Sequence, residues 1–246
     1  LEELVPHRAG VAIGVGNPMF LRESGLEVQK PVAAIRSYVA ALRALFQAGP
    51  VQQQGSTFTL NGARLSFSVQ PPAPIYLAPM GPQMLKLSGE IADGLVLSAG
   101  LSVQFLRHSL SVASEGAKTA GRDPVTLRKT AYVYFIAGGE EREQRLKVRQ
   151  KLAFLFRNEN LRENIRASGL PIDHDEIIAA VARRDAEGAL ALVPDEAADA
   201  FAITGSKASC ARSIQDYIDA GLEEIVLSFV GTQEDRTTSL NVLREL

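Results

Sequence analysis

The stretch Pro74-Ile-Tyr-Leu-Ala-Pro-Met-Gly-Pro-Gln-Met-Leu-Lys-Leu-Ser-Gly-Glu-Ile-Ala-Asp-Gly-Leu-Val-Leu-Ser-Ala-Gly100 decides the fold. It opens with a short apolar run, Pro74 to Ala78. Gly81-Pro82 then starts a helix that runs through Glu90, because proline suits a first helical turn. Ala92-Asp93-Gly94 turns the chain into a second apolar run, Leu95-Val-Leu-Ser. Strand, helix and strand in so few residues predict a parallel βαβ unit.

The rhythm continues on both sides. Upstream, Val11-Ala-Ile-Gly-Val-Gly is an apolar run closed by Asn17-Pro18. A helix from Pro31 to Phe46 carries Ile35, Tyr38, Val39, Leu42, Leu45 and Phe46 at helical spacing. Residues 51–72 read as a long loop or irregular hairpin, with Asn61-Gly62 as its turn. Downstream, a helix from Ser102 bears Val103, Leu106, Leu110, Ala113 and Ala117 on one stripe, and Gly121-Arg-Asp-Pro stops it. Leu127 to Ala137 reads as a strand.

Glu140 to about Asp199 is charged, Ala-rich and strandless. Leu152, Phe154, Leu155, Phe156, Ile177, Ile178 and Val181 need burial, so the segment predicts several helices rather than disorder. Ser206 is a plausible N-cap for a helix with Ile214, Tyr217 and Ile218, which ends near Gly221. Glu224 to Val230 is the last strand, and residues 234–246 form a final helix. The reading is one domain over 1–246, with 140–200 a helical insert. Five barrel-type strands are visible. An eight-stranded α/β barrel is the first architecture, and an open doubly wound sheet is the alternative.

Composition narrows the function. Hydrophobic residues make up 46% of the 246, which supports a sizeable core. The 26 basic and 28 acidic residues leave a net charge of −2, with no basic run interleaved with aromatics, which argues against nucleic acid. No apolar run reaches membrane-spanning length. Leu1-Glu-Glu-Leu does not read as a secretory signal, and the single Cys210 cannot form an internal disulfide. Both fit a cytoplasmic protein.

The 74–100 stretch resembles a signature of the luciferase-like oxidoreductases, in particular the branch similar to methylenetetrahydromethanopterin reductase. Arg8-Ala-Gly-Val-Ala-Ile-Gly-Val-Gly-Asn-Pro is similar to that family's fourth strand and its loop. Ile203-Thr-Gly-Ser, the helix after it and Ala220-Gly-Leu-Glu-Glu-Ile-Val-Leu-Ser resemble its closing unit. The resemblance implies a (β/α)8 barrel of the bacterial luciferase type. The visible strands become the fourth to the eighth, with the first three absent from this sequence. It also implies coenzyme F-420, a deazaflavin, or FMN as cofactor, and a small organic substrate. A homo-oligomer is the expected assembly.

Candidate site residues follow. Free N–H groups and the helix dipole at the Gly81-Pro82 turn favour an anion, and glycine permits close approach. Pro82 has no N–H, so the donors are Gly81, Gln83 and Met84. The resemblance makes Ala78, Met80 and Gly81 line the cofactor's phosphate-bearing chain. The competing reading is an ordinary βα turn. A valine at 81 is expected to block phosphate while sparing the fold, unless φ there is positive. Ser98 stands at a strand end with a hydroxyl able to reach phosphate, or else caps its turn. Gly14, Gly16 and Asn17 allow a flat ring against backbone, with Asn17 a hydrogen-bond partner, or form an Asn-Pro turn. Asp93 orients its turn.

Among the other polar groups, His7 precedes the first strand, His108 is a surface residue, and His174 lies near a helix start. None sits at metal-ligand spacing, so no metal site is expected. Cys210 is a packed thiol, and Glu140–Arg149 is a solvated helix face. Catalytic residues stay unassigned, because in flavin chemistry the cofactor carries the hydride. The expected activity is hydride transfer between F-420 or FMN and a small organic substrate, with a tetrahydropterin-like one-carbon carrier as a candidate. An FMN monooxygenase and a catalytically silent flavin-binding protein are the alternatives.

Overall fold

The structure, a computed structural model, describes residues 8–27, 29–47, 49–67 and 72–246. His7 and part of the 51–72 loop lie outside the described residues. The chain divides into two compact units, 1–96 with 111–128 and 97–110 with 129–246. Each is described by itself.

In the first unit β1 (Val11–Ile13), β4 (Ile75–Leu77) and β5 (Gly94–Leu97) run parallel. Val11 pairs Ile75 and Ile13 pairs Leu77, while Tyr76 pairs Gly94. Side chains alternate across a strand, so Ile75 and Leu77 share one face. They pack with Ile35 and Val39 of α2 (Pro31–Phe46) and with Met84 and Leu87 of α3 (Pro82–Ile91). Tyr76 points the other way and lies over Gly94, where a Cβ would come 2.4 Å from Cε1 of its ring. Asp93 orients the turn as expected. Its Oδ2 accepts from the Ile75 N–H at 2.8 Å, and Arg43 donates to Oδ1 at 2.9 Å.

A short helix that the sequence reading did not foresee, α1 (Pro18–Glu23), follows β1. The hairpin is β2 (Val51–Gln54) with β3 (Thr59–Ala63), antiparallel. Its turn lies at Gly55 to Phe58, closed by the Gly55 N–H to the Phe58 carbonyl at 2.8 Å. Asn61-Gly62 is not the turn. The register shifts where Val51 pairs Ala63 and Gln52 pairs Asn61, so Gly62, with φ 76°, is the extra residue of a bulge.

The second half of α4 (Val103–Thr119) belongs to this unit and meets α3 backbone to backbone. A Cβ on Gly89 would fall 1.8 Å from the Ala113 carbonyl oxygen, and one on Gly116 would fall 2.1 Å from that of Lys86. Arg122 closes the end of α3 by donating to the Gly89 and Ala92 carbonyls at 2.6 and 2.7 Å.

The second unit is built on β6 (Arg128–Ala137). Tyr134 and Phe135 pair with Ala202 and Ile203 of β7 (Ala202–Gly205), and also with Ser228 and Phe229 of β8 (Glu224–Phe229). A residue paired twice has one partner on each edge, so β6 is central and all three strands are parallel. The chain therefore has six parallel strands among the described residues rather than five. β7 was missed because its four residues follow an Ala-rich helix without a turn residue between them.

The insert is helical, as expected, with α5 (Glu141–Leu155), α6 (Arg162–Ser168), α7 (His174–Ala182), α8 (Ala186–Ala191) and α9 (Ala197–Phe201). Val148, Leu152 and Phe156 are buried, and Phe156 meets Phe201 edge-on at 5.1 Å. Phe154 was expected in the core but is 59% exposed. The Glu140–Arg149 face is less solvated than expected. Arg145 donates to Asp199 at 2.7 Å, Lys147 to Asp235 at 2.7 Å, and Arg149 pairs with Asp195.

Ser206 caps α10 (Lys207–Asp219) through the Ser209 N–H, as expected. Ile218 was placed on that helix's apolar side, yet it is exposed. Thr232 and Asp235 form a capping box at the start of α11 (Gln233–Leu243). Among the described residues no helix is long and apolar enough to cross a membrane.

Candidate cofactor site

The parallel register brings the C-terminal ends of β1 and β4 side by side. The Ala78 N–H donates to the Ile13 carbonyl at 2.8 Å. A Cβ on Gly14 would stand 3.4 Å from the Ala78 Cβ, so the strands approach closely here. The structure thus brings Gly14 beside Ala78, with Gly16 and Asn17 following on one strand end and Met80 and Gly81 on the other. Ala78, Met80 and Gln83 are exposed. Met84 is not, and its side chain belongs to the core with Ile75 and Leu77, so only its backbone N–H is available to a ligand.

Gly81 occupies the N-cap of α3 with φ 79° and ψ 162°. That conformation is essentially restricted to glycine. No side chain caps the helix, and Pro82 holds its first position. The first N–H groups of a helix have no partner within it. At α3 those of Gln83 and Met84 therefore face outward with the positive end of the dipole. Nothing lies within 4 Å of where a Gly81 Cβ would be, so the front of the turn is open. An uncapped helix start behind an open glycine turn is chemically an anion acceptor.

Gly16 adopts φ 94°. Asn17 stands at the start of α1, where its carbonyl accepts from the Leu21 N–H at 3.0 Å. This is the Asn-Pro helix start that the sequence offered as the alternative, and the exposed side chain is compatible with a ligand role too.

Ser98 belongs to the second unit, exposed just beyond β5. The loop after it is fixed by a residue that sequence reasoning missed. Asn164 of α6 is fully buried, donates Nδ2–H to the Gly100 carbonyl at 2.8 Å and accepts from the Ser102 N–H at 2.8 Å. The Tyr217 hydroxyl donates to the Leu101 carbonyl at 3.2 Å. Nothing in Arg162-Glu-Asn164 signals a contact this far along the chain. Asn164→Leu is expected to leave a buried carbonyl and a buried N–H unpaired. The loss is about 2–4 kcal/mol of stability, measurable by urea denaturation with Asn160→Leu on the exposed surface as control.

His108 is exposed, as expected. His174 starts α7, buried, with Nε2 2.7 Å from the Phe156 carbonyl oxygen. Cys210 is a packed thiol whose burial raises its pKa, which suits an inert rather than a nucleophilic sulfur. Among the described residues no group of three His, Cys, Asp or Glu side chains is placed to hold a metal.

Known proteins are similar to this chain in sequence and fold. The 5,10-methylenetetrahydromethanopterin reductase of Methanolobus tindarius is 28% identical over 243 residues, 98% of this chain and 74% of that protein. The F420-dependent glucose-6-phosphate dehydrogenase of Kineococcus radiotolerans is 24% identical over 237 residues, 95% of this chain and 66% of that protein. The solved structure of the coenzyme F420 dependent tetrahydromethanopterin reductase from Methanopyrus kandleri superposes with a TM-score of 0.79 at 24% identity, covering 96% of this chain and 72% of that one. The α/β fold is thus that of the luciferase-like barrel proteins rather than an open doubly wound sheet. The family model for luciferase-like monooxygenases matches residues 1–224, and this chain belongs to that family of enzymes.

Proposed function

We propose that the protein is an F-420-dependent oxidoreductase that moves a hydride between the deazaflavin and a small organic substrate, with a tetrahydropterin-like one-carbon carrier as the first candidate. The observation that carries this reading is the open Gly81 turn ahead of the uncapped α3. It offers outward N–H groups and a positive dipole end at a strand's C-terminal edge, where barrel active sites collect. The names of the relatives support F-420 over FMN.

The residues present fit such a cofactor. The N–H groups of Gln83 and Met84 would hold its phosphate, and the lack of a Gly81 side chain lets the phosphate approach. Gly14 and Ala78, in contact at the adjoining strand ends, carry no side chain beyond a methyl group, so a planar ring can lie against them. When bound, the deazaflavin supplies the hydride chemistry. The protein's part is to bind the phosphate, orient the ring and exclude water.

Titration of the protein with F-420 and with FMN, followed by absorbance and fluorescence, tests this reading. Saturable F-420 binding and turnover of the reduced cofactor with an electron acceptor are expected. Binding of FMN alone, with oxygen consumption, would instead make the protein a monooxygenase. Binding without turnover over a broad substrate panel would make it a silent binder, and binding of neither cofactor would overturn the proposal.

A further inference from the structure

One face of the β6–β8 pair carries hydroxyl groups that the fold does not use. Tyr132 and Tyr134 of β6 pair with Val226 and Ser228 of β8, and paired residues point to the same side of a sheet. Tyr134 is only 6% exposed. A buried tyrosine hydroxyl ordinarily finds a hydrogen-bond partner. That of Tyr134 has none among the described residues, and neither has that of Ser228. The Tyr134 oxygen is not sealed in, because among the described residues the sealed side-chain polar atom without a partner is His174 Nδ1. The hydroxyl therefore opens on space that a ligand can enter. Phenylalanine would fill the same volume without the cost of desolvating an unpaired hydroxyl, so packing alone does not account for the tyrosine.

The ring is held in place from the side. Gly100 has φ 80°, and a Cβ there would stand 3.3 Å from Cε2 of Tyr134 and 2.3 Å from Cδ2 of Leu155, so the loop backbone lies close against both. That loop is pinned in turn by Asn164 at Gly100 and Ser102 and by Tyr217 at Leu101. Burial raises the pKa of the Tyr134 phenol, so it keeps its proton and can donate as well as accept. Tyr132 and Ser228, on the same face, line a cavity of about 430 Å³ with Gln233 and Arg236, within the size range of small-molecule sites. Among the described residues no carboxylate lines it. The wall thus offers N–H and O–H donors, which suit carbonyl oxygens.

We infer that the Tyr134 and Ser228 hydroxyls bind the cyclic-amide edge of a ring, the pyrimidinone that a deazaflavin and a pterin share. The inference rests on the oxidoreductase reading for the identity of these two rings. Tyr134 stands three residues before the C-terminal end of β6, and barrel active sites collect at that end of the strands. A hydroxyl can donate to the ring carbonyl or accept from the adjoining ring N–H. Neither interaction needs a charged partner, and neither hydroxyl carries one.

Isotope-labelled tyrosine tests this. The chain has five tyrosines, so protein labelled with carbon-13 at tyrosine Cζ gives five NMR signals, and Tyr134→Phe identifies the one that matters. The probes are F-420, FMN and a methyl-tetrahydropterin without a phosphate, with binding followed independently by absorbance and fluorescence. Saturation with a cofactor or with the pterin should move the Tyr134 signal and leave that of Tyr38, in the first unit, in place. Which probe moves it tells whether the cofactor ring or the substrate ring occupies the site. Tyr134→Phe should weaken that same ligand about five-fold or more, and Ser228→Ala should act in the same direction. The urea midpoint of Tyr134→Phe should hold or rise, since an unpaired hydroxyl is removed. A less stable Tyr134→Phe protein would make the hydroxyl structural and overturn the inference. If every ligand that binds leaves the Tyr134 signal in place and binds Tyr134→Phe as tightly, the inference is overturned and the oxidoreductase reading stands. If only the pterin binds and moves the signal, the inference stands and the cofactor reading falls. Binding of none of the three overturns both.

Discussion

Gly89→Ala is expected to destabilise the protein by at least about 2 kcal/mol, although alanine is the better helix former. Helix propensity favours the substitution by about 1 kcal/mol. Against that, the new Cβ would stand 1.8 Å from the Ala113 carbonyl oxygen. A backbone atom cannot rotate away, so α3 and α4 must separate. Overpacking of this kind costs about 1–3 kcal/mol and at times more, and the clash with main chain places this case at the top of that range or beyond. Gly116→Ala should behave alike, with its Cβ 2.1 Å from the Lys86 carbonyl oxygen. One separation of the helices relieves both clashes, so the double variant should lose less than the sum of the singles. Urea denaturation measures this, with Glu115→Ala on the exposed face of α4 as control. A Gly89→Ala protein as stable as the parent would refute the backbone contact.

Gln83→Glu should weaken FMN or F-420 binding about ten-fold while leaving the fold intact or slightly more stable. Gln83 is exposed at the second position of α3. A carboxylate there gains about 0.3–1 kcal/mol from the helix dipole but repels a phosphate on the same N–H groups. A ten-fold loss corresponds to about 1.4 kcal/mol. Riboflavin, or the phosphate-free deazaflavin analogue, should bind as before. Opposite signs for stability and affinity distinguish this from general damage. Equal loss for both ligands, or for neither, would return the turn to a plain helix start. Gly81→Val is the less informative variant. The observed φ of 79° with ψ of 162° lies outside what valine adopts, at a cost of about 1–3 kcal/mol. The substitution therefore destabilises the fold and distorts the turn, where the sequence reading supposed it spared for a negative φ, and binding of both ligands should weaken together.

The alternation of short apolar runs with helical stripes sufficed to determine the parallel α/β class. It also placed α2, α3, α4, β6 and β8 within a residue or two, because each has its own period and its own stop residues. The glycine turn at 81 and the strand end at Gly14–Asn17 were legible for the same reason: backbone conformation is a local property. What depends on distant partners was not legible. Gly89 and Gly116 read as ordinary weak points in helices until two backbones met across them. Asn164 gave no sign that it holds a loop some sixty residues earlier. β7 exists because Tyr134 to Ala137 offer an open edge to four residues with little signal of their own. Phe154 was hydrophobic enough to be placed in the core, but the helix phase set by Val148, Leu152 and Phe156 turned it outward. The sequence determined the elements and their apolar faces. Only the tertiary structure decided which backbones touch and which apolar residue stays in water, since those depend on the rotation and spacing of elements remote in the chain.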